Sequence, residues 1–218
     1  MEIKTVDIAG IYGLNAPTPI KCFLHKADGE IGPFNKNLPA MVVVPGGGYH
    51  FVSEREADPI AVDFFNRHYN AFALKYGVAP DYRYPTSINQ LAATVDYLKR
   101  NAKKLGIDKN RIFVIGFSAG GHLALSGAVL DIPGETAQQR PNAVILGYPV
   151  ITAGEFAHRG SFVQLAGSED AAAQQVFTLE DKVNADTPPV FVWHTMEDKT
   201  VPVENTLLLL AALRRAGV

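Results

Sequence analysis

Short continuous apolar runs, rich in β-branched residues, alternate along this chain with longer stretches in which apolar residues recur every three or four positions. That alternation predicts strands and helices in turn, and so a mostly parallel α/β sheet with helices on both faces. Pro19 to Lys26 predicts an early strand, and Asp28-Gly29 with the Gly/Pro/Asn-rich stretch to Pro39 predicts a turn and loop. Ala40-Met41-Val42-Val43-Val44 has the pattern of a strand buried on both faces. Ser53 and Glu56 have capping-box spacing, and Asp58-Pro59 offers a second helix start, for a helix running to about His68. Asn70 to Tyr76 predicts a strand. Ile88, Leu91, Ala92, Val95, Leu98, Ala102 and Leu105 then lie on one face of a single helix stopped by Gly106. Arg111 to Gly116, Asn142 to Gly147 and Val190 to His194 predict further strands. Helices are expected from Ala119 to Leu130 and from Val203 to Ala216, the latter capped by Gly217. Residues 149–189 form a long glycine-broken excursion of the kind that shapes a substrate pocket.

No repeat or linker divides the 218 residues, so a single domain is expected. Twenty basic against twenty-two acidic side chains, with no cationic run, argue against nucleic acid or an anionic membrane as partner and for a small molecule. No apolar stretch has the length of a signal peptide or a membrane span, and a cytoplasmic location is the expectation. The lone cysteine, Cys22, excludes an internal disulfide and reads as a small strand residue.

Three motifs carry chemistry. Gly116-Phe117-Ser118-Ala119-Gly120 matches GxSxG between a buried strand and a helix, which is the setting that exposes a nucleophilic serine on a strained turn. A side chain at either glycine is expected to collide with the neighbouring strand or helix. Val44-Pro45-Gly46-Gly47-Gly48-Tyr49 follows another buried strand, and its backbone N–H groups can converge on an oxyanion; Gly47, Gly48 and Ala119 are the expected donors. The rival reading, a dinucleotide loop, fails because no third glycine falls at Phe51, and GxxxxGK[ST] is absent. His194-Thr195-Met196-Glu197-Asp198-Lys199-Thr200-Val201-Pro202 follows the last strand, and its Asp-x-x-Val-Pro arrangement makes Asp198, not Glu197, the expected acid that orients a histidine. Tyr49, Tyr148 and Pro149 are substrate-pocket candidates by position, with packing as the alternative; Arg159 is a candidate contact to a sugar or acid, with a surface salt bridge as its alternative.

The combination PGGGY, GFSAGGHLAL and WHTMEDKTVPVENTLLL resembles the acetyl-xylan-esterase-like branch of the α/β-hydrolase superfamily, near the bacterial esterases and lipases. The resemblance implies an α/β-hydrolase fold and a serine esterase acting on small carboxylic esters, acetylated carbohydrates among them, with no cofactor or metal. It also implies a final strand and a catalytic histidine after the last helix, whereas only twenty residues follow Asp198 here. The last strand and the general base are therefore expected to be missing from these residues, leaving Phe191-Val192-Trp193 on an exposed sheet edge open to self-association.

None of the six histidines fits the general-base position. His122 lies one helical turn beyond Ser118 and is expected to pack. His194 is expected to support its loop, while His50 and His158 are placed to approach substrate. His25 and His68 have no catalytic context, and no HExxH or similar spacing suggests a metal. Two rivals to the esterase are a non-catalytic protein of the same fold that binds a ligand or partner, and a peptidase of the same superfamily, the latter disfavoured for want of a further domain.

Overall fold

A computed structural model describes residues 1–131 and 140–218. Its strands are β1 (Glu2–Asp7), β2 (Pro19–Leu24), β3 (Leu38–Val44), β4 (Asn70–Leu74), β5 (Ile107–Phe117), β6 (Ala143–Gly147) and β7 (Val190–Trp193). The helices are α1 (Ala9–Tyr12), α2 (Asp58–Asn66), α3 (Thr86–Arg100), α4 (Ala102–Leu105), α5 (Ala119–Val129), α6 (Arg159–Ala166), α7 (Ala171–Gln174) and α8 (Glu204–Ala216). The strands form one seven-stranded sheet in the order β1-β2-β4-β3-β5-β6-β7. β1 and β2 are antiparallel to their neighbours, and β4, β3, β5, β6 and β7 are mutually parallel.

The period-two geometry of a strand explains why β3 is apolar throughout. Ala40, Val42 and Val44 join the core beneath α3, α5 and the Leu209/Leu213 stripe of α8, while Met41 and Val43 join the core beneath α2 with Ala61, Ile60 and Phe64. Each fully buried valine of this kind contributes about 1.5–3 kcal/mol of transfer free energy. Cys22 is buried within β2, and its surroundings push the thiol up to about 11, far from nucleophilic use.

Three local expectations are corrected. The apolar face from Ile88 to Leu105 is split at Asn101, whose side-chain amide donates to the Tyr97 carbonyl at 2.9 Å, so α3 stops and α4 adds one further turn before Gly106 closes it at φ +68°. The Ser53/Glu56 capping box does not form. Helix α2 begins at Asp58, its N-cap Ala57 has no side-chain acceptor, and Ser53 Oγ has no partner among the described residues. Finally, β1 was not predicted: its side chains are almost all exposed, and it is held by main-chain pairing to β2.

Parallel pairing aims the C-terminal ends of β3, β5, β6 and β7 at one side of the sheet. These strands are immediate neighbours, so the glycine loop, Ser118, Tyr148 and Asp198 all emerge side by side, the place where α/β sheets bind ligands. Among the described residues β7 pairs with β6 alone, and Phe191 and Trp193 are 63% and 44% exposed. No helix among the described residues is long and apolar enough to cross a membrane.

Candidate active site

Ser118 is the N-cap of α5 and has φ +52°, ψ −122°, a backbone region that costs a non-glycine residue of order 1–3 kcal/mol. Its surroundings over-determine that strain. The Ser118 N–H donates to the Gly147 carbonyl at 3.0 Å, and its own carbonyl accepts from Gly121, His122 and Val150. The two flanking glycines are required, as expected from the sequence: a Cβ on Gly116 would penetrate the Gly120 carbonyl, and one on Gly120 would meet the carbonyl oxygens of Val44 and Pro45. The result is a hydroxyl held at the floor of a cleft of about 740 Å³.

The glycine loop lines the wall beside it. Gly47 and Gly48 have φ +127° and +64°, and a Cβ on Gly46 would sit 2.8 Å from the Phe117 carbonyl and 3.1 Å from Ser118 Cβ, so the loop approaches the serine as only glycines permit. The N–H groups of Gly47, Gly48 and Ala119 have no hydrogen-bond acceptor among the described residues, whereas the Gly46 N–H donates to Glu56 Oε2 at 2.7 Å. Glu56 Oε1 in turn accepts from the Tyr148 hydroxyl at 2.9 Å. Glu56 therefore ties the glycine loop to the end of β6. Burial first, and then this carboxylate, raise the Tyr148 pKa, so the phenol stays protonated and donating. The cap spacing drew attention to Glu56 for the wrong reason; its partners lie ten and ninety-two residues away and leave no local signature.

Asp198 faces the same cleft. Its Oδ1 accepts from the N–H groups of Thr200 and Val201 at 2.8 and 3.0 Å, which fixes the carboxylate in the loop after β7. His194 lies beneath it, with Nε2 donating to the Val201 carbonyl at 2.9 Å and standing 3.5 Å from Asp198 Oδ2, while Nδ1 is 2.8 Å from the Thr206 hydroxyl. His194 thus supports the loop. Glu197 is exposed and does not line the cleft.

Of the three pocket candidates, Tyr148 lines the cleft and the other two do not. Tyr49 has φ +58°, which turns its ring into the core, where it is 3% exposed. Pro149 is buried against Gly121. Arg159 does not line the cleft and has no salt bridge among the described residues: its guanidinium donates to the carbonyls of Ala153 and Gly154 and to Gln174 Oε1, pinning the excursion to itself. The excursion does reach the cleft through His158. His50 is exposed beside the glycine loop without lining it, and His25 and His68 stack on each other near Phe65, bonded to the carbonyls of Phe65 and Phe34.

His122 is buried below the serine. Its Nε2 is 2.9 Å from the Phe177 carbonyl, which can only accept, so Nε2 carries the proton and Nδ1 accepts from the Tyr49 hydroxyl at 2.8 Å. Burial lowers its pKa to about 4. Between pH 6.5 and 4 the unfolded chain therefore binds a proton that the folded chain refuses, and stability falls as pH is lowered through that window by roughly 3 kcal/mol. His122→Gln is expected to flatten this part of the curve, as measured by thermal unfolding at a series of pH values; an unchanged slope would contradict the assignment.

Comparison with known proteins places these features in context. The BD-FAE family profile matches residues 33–147. The chain is 38% identical over 196 residues to endo-1,4-beta-xylanase B of Butyrivibrio fibrisolvens, covering 82% of this chain and 30% of that protein. It is 30% identical over 191 residues to the acetylxylan esterase of Xylanibacter ruminicola, covering 85% of this chain and 39% of that one. It thus spans between 30% and 39% of the length of these curated relatives. The solved acetyl ester-xyloside bifunctional hydrolase of Caldicellulosiruptor lactoaceticus superimposes with a TM-score of 0.80 at 35% identity, over 94% of this chain and 76% of that one.

Proposed function

Because this chain belongs to the BD-FAE family and has the α/β-hydrolase fold, we propose that it carries the active site of a serine carboxylic-ester hydrolase for small esters, acetylated carbohydrates among them. The observation that carries the proposal is the convergence on one cleft of the strained Ser118, the acceptor-free N–H groups of Gly47, Gly48 and Ala119, and the loop-fixed carboxylate of Asp198. In this reading the Ser118 hydroxyl oxygen attacks the ester carbonyl, and the carbonyl oxygen takes the negative charge under the three N–H donors. The alcohol departs with a proton, and water then cleaves the acyl-serine. Asp198 orients the imidazole that moves these protons and stabilises it when charged.

That imidazole is not, in our reading, one of the six histidines of this chain. His122 and His194 have both ring nitrogens engaged within the fold, His25, His50 and His68 do not line the cleft, and His158, which does line it, has Nδ1 taken up by Ser161. The 218-residue polypeptide alone is therefore expected to hold the nucleophile, the acid and the oxyanion donors but to turn over slowly. The acetylated-sugar part of the proposal draws on the printed names of the xylanase, acetylxylan esterase and acetyl ester-xyloside hydrolase relatives. The experiment is acetate release from p-nitrophenyl acetate and from a methyl mono-O-acetyl-xyloside, with Ser118→Ala as reference. Ser118-dependent release from both supports the proposal; release that survives the substitution overturns it.

A further inference from the structure

His158 caps α6, and the cap decides its chemistry. The Ser161 backbone N–H is shared between the His158 carbonyl at 3.0 Å and the ring Nδ1 at 3.3 Å, and Nδ1 lies 2.8 Å from the Ser161 hydroxyl, which is fully buried. A backbone N–H can only donate. With Nδ1 as acceptor from both this N–H and the Ser161 hydroxyl, the neutral ring would carry its proton on Nε2. The ring is half-buried in the wall of the cleft that holds Ser118, Gly48 and Asp198, and Nε2 has no hydrogen-bond partner among the described residues. Burial lowers the basicity of the imidazole while the Asp198 charge partly offsets that effect; the other charged groups lining the cleft are Glu56 and Arg55.

The remaining question is what such a donor meets. At the serine, the ester carbonyl already has the N–H groups of Gly47, Gly48 and Ala119. The wall of this cleft runs from Ser118 to His158, so the part of a ligand beyond the ester carbonyl shares the cleft with the His158 ring. We propose that His158 presents an Nε2–H to the cleft and donates a hydrogen bond to an oxygen of the substrate's alcohol portion. This deepens the esterase reading and rests on it for the identity of the ligand. It also removes His158 from consideration as the base for Ser118, because the nitrogen that faces the cleft is already protonated.

Two measurements test it. In 15N-histidine-labelled protein at neutral pH, long-range 1H–15N correlation, assigned with His158→Gln, is expected to show a protonated Nε2 and a bare Nδ1 for His158. A protonated Nδ1, or a doubly protonated ring, would overturn the inference whatever the protein hydrolyses. In a Ser118→Ala background, calorimetric binding of a methyl mono-O-acetyl-xyloside is expected to weaken about tenfold with His158→Leu and to stay within about threefold with His158→Gln, which keeps a donor. Equal affinity for both variants, or no binding of the xyloside to the Ser118→Ala protein, would overturn the substrate role. Because the tautomer is read without turnover, a failure of the esterase reading and a failure of this one give different results.

Discussion

Added imidazole is expected to accelerate ester hydrolysis by the 218-residue polypeptide, and Ser118→Ala is expected to abolish that acceleration. Removing the base from a serine triad costs about a million-fold in turnover, while the oxyanion donors and binding retain roughly a thousand-fold or more over water. In the proposed site the acceptor-free N–H groups, the strained serine and the loop-fixed Asp198 line one cleft, and His158, the histidine among its lining residues, has Nδ1 taken up by Ser161. A diffusible base can therefore do part of what a tethered one would. The part is small, because a positioned group acts at an effective concentration on the order of 10⁵ M or more, far above any added imidazole. These magnitudes give at most about a doubling of the Ser118-dependent rate at about 0.1 M imidazole, read as acetate release after subtracting the rate of the Ser118→Ala protein. Fast hydrolysis without imidazole, dependent on Ser118, would mean that a histidine of this chain serves as the base.

Gly120→Ala is expected to be strongly damaging for the addition of a single methyl group. The Cβ would enter the carbonyl oxygens of both Val44 and Pro45, and both are backbone atoms at the end of β3 that no rotamer change can move aside. Relief requires α5 to back away from β3, which displaces Ser118 from the glycine loop at the same time. The expected cost is about 3 kcal/mol or more, a Tm lowered by roughly 10 °C, together with loss of the Ser118-dependent rate. Gly10→Ala supplies the control. Gly10 is exposed in α1 with nothing within 4 Å of a Cβ, so the same added methyl is expected to be neutral or slightly stabilising. Equal stability of the two variants in thermal unfolding would contradict the close-approach account of the elbow.

What could be read from the sequence follows from how local each determinant is. The buried strands declared themselves because both faces of β3 and β5 are covered, which makes apolar runs unavoidable. The nucleophile turn declared itself because its glycines are demanded by contacts with the adjoining helix and strand. Asp198 was legible because its turn is closed by residues two and three positions on. Glu56 was not: its bonds to Gly46 and Tyr148 exist only once β3 and β6 are placed, and the spacing to Ser53 suggested a cap that the chain does not make. Tyr49 was misplaced for a different reason. Position beside a glycine loop says nothing about φ, and a positive φ at Tyr49 sends its ring down to His122 instead of out to the cleft. The tautomer of His158 likewise depends on a helix N-terminus, that of α6, which the sequence pattern did not predict.

In the proposed reaction Ser118 is the nucleophile beneath the N–H groups of Gly47, Gly48 and Ala119. Acetate release by the wild-type and Ser118→Ala polypeptides, followed side by side over a series of imidazole concentrations, tests it most directly. The prediction is a rate that climbs with imidazole in the wild type and stays at the solution background in Ser118→Ala; parallel lines for the two proteins would contradict it.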